Sequence, residues 1–143
     1  ERMSWREFAR VLALTAEEES AARAVIGAFK EQVAALFVLP PETGGASPLD
    51  LIVEISRGAG GRGGNDLDTL LRTAGPAAGE SYAARLGALE ASARAALGDA
   101  LAPAARAILP WLPVPSLMSI EVPGVDPVGS LVGERLRAKQ AAS

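Results

Sequence analysis

LTAEEESAARAVIGAFKEQVAALF, Leu14 to Phe37, is the stretch on which the fold turns. Thr15 stands three residues before Glu18, the spacing at which a hydroxyl accepts from one backbone N–H of a starting helix while a carboxylate reaches back to another. Glu17, Glu18 and Glu19 crowd the first turn, where the positive end of the helix dipole favours carboxylates. Ala22, Val25, Ile26, Phe29, Val33, Leu36 and Phe37 then follow at steps of three and four, which makes one apolar stripe. The pattern predicts a helix of about 21 residues, roughly 32 Å long at about 1.5 Å per residue. Leu39-Pro40-Pro41 ends it.

Working outward, Ser4 and Glu7 repeat the capping spacing, and Trp5, Phe8, Val11 and Leu12 share a face, so a short helix precedes the long one. Downstream, Ser47-Pro48-Leu49-Asp50 supplies an N-cap, a tolerated first-turn proline and a dipole-matching acid. Leu49, Ile52, Val53 and Ile55 carry that short helix, which Gly58 should stop. GAGGRGG, Gly58 to Gly64, reads as a flexible loop, and Asn65 or Asp66 as the cap of another short helix bearing Leu67, Leu70 and Leu71.

A second long pattern follows: Tyr82, Leu86, Leu89, Ala93, Ala96 or Leu97, and Ala100 or Leu101. Its length resembles that of the first. The expected architecture is therefore all-α: an antiparallel hairpin of two long helices with short helices crossing its ends, like a four-helix or five-helix bundle. Pro103 predicts a kink or a fresh helix start, with Ile108, Leu109, Trp111 and Leu112 continuing the apolar surface. PWLPVPSLMSIEVPGVDP, Pro110 to Pro127, holds too many prolines for a helix and should run extended. Val128 to Ala142 suits a terminal helix. The expected division is a helical hairpin domain over 1–112 and a Pro-rich segment with a C-terminal helix over 113–143. No fixed-period repeat is visible.

Composition narrows the function classes. At 143 residues the chain can bury roughly two-thirds of its unfolded surface. With 49% hydrophobic but only 4% aromatic residues, its core must come from Leu, Val, Ile and Ala. A net charge of -3 without a basic run lacks the electrostatic footprint of a nucleic-acid binder. Cysteine and histidine are absent, which removes disulfides, thiol catalysis, the commonest metal ligand and the commonest neutral-pH acid-base group. No stretch approaches the roughly 20 apolar residues that span a bilayer, and no signal peptide opens the chain. Beginning at Glu1 with Met3 inside, it reads as a processed or trimmed piece whose targeting segment has been removed.

Several stretches invite a chemical reading. The Gly-rich loop lacks the G-K-[ST] of a phosphate-binding loop, so a connector is preferred. GGRGGNDLD, Gly60 to Asp68, partly matches a calcium-binding nonapeptide, but that architecture needs stacked copies and only one exists. Glu17, Glu18 and Glu19 are adjacent on a helix and diverge, so they do not converge on a cation alone. Asp50, Glu54, Asp66 and Asp68 are more simply caps and solvated faces. No catalytic residue, metal site or cofactor is assigned; an enzyme using carboxylates alone is the residual third class. Apolar surface is what remains: Trp5, Phe8, Phe37, Trp111, Leu112, Leu117, Met118 and Ile120 are the candidate protein-binding residues, most of them also core candidates by size.

Leu14-Thr15-Ala16-Glu17-Glu18 resembles the Leu-Thr-x-x-Gln motif that opens a long helix in Spy/CpxP-like periplasmic proteins and their ZraP- and CnrX-type relatives, with Glu18 in the Gln place. Leu101-Ala102-Pro103-Ala104-Ala105 falls where the second such motif should stand, but only Leu101 and the proline fit. The resemblance covers the layout from Trp5 to Leu112. It implies a periplasmic four-helix hairpin, commonly dimeric, that binds unfolded proteins or modulates an envelope-stress or metal-response sensor. Lacking His and Cys, this chain departs from the metal-sensing members, and no metal residue carries over. The expectation is a non-enzymatic periplasmic protein contacting clients or sensors through apolar surface. The alternative is a cytoplasmic helical scaffold or dimerisation domain of a larger protein, pairing its helices with a partner's.

Overall fold

Residues 2–58 and 63–141 are described by a computed structural model. They are mainly helical, with isolated bridges in place of strands among the described residues. The α-helices are α1 (Trp5–Val11), α2 (Ala16–Phe37), α3 (Pro48–Ser56), α4 (Gly63–Thr73), α5 (Tyr82–Ala100), α6 (Pro103–Ile108) and α7 (Pro127–Ala141). Two 3-10 turns, Leu109–Trp111 and Leu117–Ser119, lie between α6 and α7. The chain divides into two compact units, Glu1–Lys30 with Leu89–Asp126, and Glu31–Ala88 with Pro127–Ser143. Each unit thus draws on both sides of residue 112.

The helix starts follow local chemistry. Ser4 Oγ accepts from Glu7 N–H, and the Glu7 carboxylate accepts from Ser4 N–H, closing the capping box of α1. Ser47 and Asp50 do the same for α3, with Pro48 at the first position, and such a cap contributes about 1 kcal/mol. Gly58 follows α3 with φ of +74°, a backbone only glycine adopts cheaply. α4 begins at Gly63, ahead of the expected cap at Asn65 or Asp66, so both of those residues lie inside its first turn. The expected loop residues 59–62 lie outside the described residues.

In the first unit Phe8, Ile26, Leu97, Leu117 and Ile120 are almost wholly buried. The stretch after α6 holds no α-helix up to Pro127, as its prolines dictate, yet it is not continuously extended: the two 3-10 turns interrupt it. Local partners explain the second turn. Ser116 Oγ accepts from Met118 N–H, and the Glu90 carboxylate accepts from Ser116 Oγ at 2.6 Å and from Leu117 N–H at 2.9 Å. Met3 then pairs with the stretch, donating to Ser119 and accepting from Glu121 N–H across a parallel bridge to Ile120. Arg23 donates to the carbonyl of Pro123.

In the second unit Leu49 and Val53 of α3 pack with Val132 of α7, flanked by Phe37, Ile52, Leu131 and Leu136. The pairs Asp50–Arg135 at 2.8 Å and Glu54–Lys139 at 3.6 Å decorate this contact but, being half exposed, add little beside the apolar core. The Ser47 N–H, and then Arg135, hold the Asp50 carboxyl below the usual range. Tyr82, fully buried, donates its hydroxyl to the Leu39 carbonyl at 2.7 Å, and burial pushes its phenol upward.

Candidate functional site

The LTAEE residues form a structural joint. Thr15 Oγ1 accepts from Glu18 N–H at 3.1 Å, and Glu18 Oε1 accepts from Thr15 N–H at 3.0 Å. The second carboxylate oxygen accepts from Ala102 N–H at 2.8 Å. Ala102 is the N-cap residue of α6 and has no capping side chain of its own. An acceptor for the N-cap N–H normally comes from three residues downstream, where this chain has Ala105. Glu18 supplies it from the start of α2 instead, so one carboxylate serves two helix starts. Leu14 is half-buried beside it and Thr15 is exposed.

These bonds, Thr15 first and Ala102 second, lower the Glu18 pKa. Since the folded chain prefers the charged form, the stabilisation is full above the ordinary carboxylate range and disappears as pH falls through the lowered value. Glu18→Gln should therefore melt below the parent at neutral pH, with the gap closing toward pH 3. Thermal melts across that range, if they ran parallel for the two proteins, would refute a charged double cap.

The far end of α5 is closed in a similar manner. Arg106 Nε donates to the Gly98 carbonyl at 2.7 Å, and Nη2 donates to the Leu101 carbonyl at 3.0 Å. They lie at the end of α5, where the Gly98 carbonyl also accepts from the Leu101 N–H at 3.3 Å. Beside them runs a groove of about 440 Å³, floored by Ala95 and Gly98, walled by Leu109 and Pro110, and edged by Arg94, Asp99 and Arg106. Arg94 Nε is held by Glu90 at 2.9 Å. Next in the chain comes Trp111, 84% exposed, with Ile108 at 38% on the turn before it.

The structure separates the apolar candidates. Phe8, Leu112, Leu117 and Ile120 are buried in the first unit and present no contact surface. Trp5 is half-buried, its ring 5.1 Å from Phe8 and its indole N–H donating to Glu19. Met118 is half-buried, and Phe37 is half-buried against the Leu49 cluster of the second unit. Trp111 alone of the eight is well exposed. Sequence reasoning passed over Arg94 and Arg106, and it placed Ile108 on the continuing apolar surface and Pro110 at the start of the Pro-rich stretch without assigning either to a groove.

Other chemistry is sparse. Lys30 is a 7%-exposed amine whose pKa burial lowers, with Asp126 opposing that shift. A polar depression of about 240 Å³ lies among Glu42, Thr43, Thr73, Glu80 and Ser81, and Arg85 already pairs with Glu80 at 3.2 Å. No group of three or more metal-ligating residues occurs among the described residues. Asn65 to Asp68, in the calcium-type match, are helical, with Asp68 paired to Arg72 at 3.0 Å. No helix is long and apolar enough to cross a membrane among the described residues. Comparison with protein-family models, with curated proteins and with solved structures gives no match to this chain, so its site rests on its own geometry.

Proposed function

We propose that this is a non-enzymatic helical protein that binds other proteins, unfolded clients or a sensor, through an apolar face centred on Trp111, in the manner of a periplasmic chaperone or envelope-stress modulator. The observation that carries the reading is the Trp111 side chain, 84% exposed at the end of the 3-10 turn Leu109–Trp111, which the Leu112 N–H closes on the Leu109 carbonyl. Exposing an indole to water forfeits roughly 2 kcal/mol or more of burial, and tryptophan is the residue most enriched at binding hot spots. The lack of His and Cys is in keeping with a binding role.

The long helices are proposed to form an antiparallel hairpin. In support, the start of α2 shares a unit with the end of α5, while the end of α2 shares the other with the start of α5. A homodimer and a periplasmic location belong to the same proposal.

The test is suppression of aggregation of a denatured model protein, followed by light scattering, with sedimentation of the free chain alongside. The parent should hold the client. Trp111→Ser, which removes a side chain that packs on little, should keep its melting temperature and weaken holding by about tenfold or more. Equal holding by parent and variant, or none by the parent, would sink the reading.

A further inference from the structure

The groove beside Trp111 has a chemistry more specific than apolar adhesion. We infer that it accepts a protein segment carrying one carboxylate next to bulky apolar side chains, an inference that rests on the protein-binding function proposed above. Two of its lining residues, Ala95 and Gly98, are small, and the Arg106 stem lies 3.7 Å from where a Gly98 Cβ would stand, so α5 itself contributes little bulk. Leu109 and Pro110 supply an apolar wall, and Ile108 and Trp111 extend apolar surface along the chain from it. An occupant must therefore bring its own bulk.

The edges supply the charge. Arg106 spends Nε and Nη2 on neutral backbone carbonyls and forms no ion pair among the described residues, so its positive charge is not cancelled by a carboxylate. Arg94 is anchored through Nε to Glu90, which is itself held by Ser116 and Leu117. In each arginine the remaining Nη groups make no hydrogen bond within the described chain. Both guanidinium groups have thus already lost most of their rotamer freedom, which lowers the entropy cost of gripping a ligand. Planar, fixed guanidinium edges suit a carboxylate better than a mobile ammonium would.

Asp99 sits on the same rim. It repels a second acid, so the complement is one carboxylate with apolar neighbours rather than a polyacidic tract. The groove's size, about 440 Å³, is within the range of sites that enclose a few side chains.

The experiment uses the full chain with Trp5→Phe, leaving Trp111 as the one indole reporter. Three blocked Gly/Ser peptides are titrated: one carrying Leu-Leu-Glu, one Leu-Leu-Lys and one Ser-Ser-Glu. The first should shift Trp111 emission saturably and bind at least about tenfold tighter than either of the others. Arg94→Gln should erase the preference for Glu over Lys. Arg106→Gln should do the same, but it also opens the end of α5, so the Arg94 variant and the peptide comparison carry the decision. Equal binding of the Glu and Lys peptides, or no response to any peptide, overturns the inference. Client holding without that discrimination overturns the groove and leaves the broader function standing; discrimination without client holding supports the groove and overturns the broader function.

Discussion

Gly75→Ala is expected to destabilise the protein by about 3–5 kcal/mol, the sum of severe overpacking and broken backbone bonds. A Cβ at this position would lie 1.6 Å from the carbonyl oxygen of Glu80 and 2.7 Å from its carbon. Both are backbone atoms, so no rotamer change relieves the clash. Nor can the corner slide freely. The Gly75 carbonyl accepts from Glu42 N–H at 2.8 Å, and the neighbouring Ala74 carbonyl accepts from Tyr82 N–H at 2.9 Å, at the first residue of α5. Displacing residue 75 breaks one or both. Gly87→Ala is the matched control, because Gly87 lies inside α5 and an added Cβ meets nothing within 4 Å. There the same chemical change should stabilise by about 0.5–1 kcal/mol through helix propensity. Urea denaturation followed by circular dichroism measures both. A Gly75→Ala loss below about 1 kcal/mol would mean that the corner relaxes, contrary to its bonding.

These two glycines look alike in the sequence, and that likeness marks where sequence reasoning stops. Helix starts decided within four residues were legible: Ser4 with Glu7, Thr15 with Glu18 and Ser47 with Asp50, while Pro103, which predicts a kink or a fresh start, begins α6. Local rules could not reveal a partner supplied from far along the chain. Leu101-Ala102-Pro103-Ala104-Ala105 reads as a motif that has lost its capping groups, yet Glu18 provides the acceptor from 84 residues away. Glu90 and Arg106 were unreadable for the same reason: an acid and a base on helices are ordinary surface residues until tertiary placement aims them at Leu117 N–H and at the Gly98 carbonyl. Size marked the apolar candidates but not their burial. Phe8 and Trp111 are both large aromatics near short helices, and one is sealed while the other stands in water. Lys30 shows a milder version, falling beside Ile26 and Val33 on the apolar stripe of α2, where its stem is covered.

Phe8→Ala is the second large effect, with an expected loss of about 3–5 kcal/mol. Phe8 is wholly inaccessible, and its ring lies 5.1 Å from that of Trp5 at an angle of 32°. The helix that carries it has only seven residues, too short to persist in water on its own propensity, where about 12–15 are marginal. Docking therefore holds α1, and Phe8 is its one buried residue. Emptying that position should release Trp5 from its 3.2 Å bond to Glu19 and shift its emission to longer wavelength, read with Trp111→Phe in place so that Trp5 alone reports. Phe8→Leu retains most of the volume and should cost less than about 1.5 kcal/mol, with little spectral change. Because Met3, five residues before Phe8, clamps Ser119 and Glu121, undocking α1 should also loosen the stretch that follows Trp111. Amide exchange at Met3 and Glu121 would then quicken in Phe8→Ala but not in Phe8→Leu. Unchanged exchange in the alanine variant would show that the clamp stands without α1, with the Glu90 and Arg23 bonds holding the segment on either side of it.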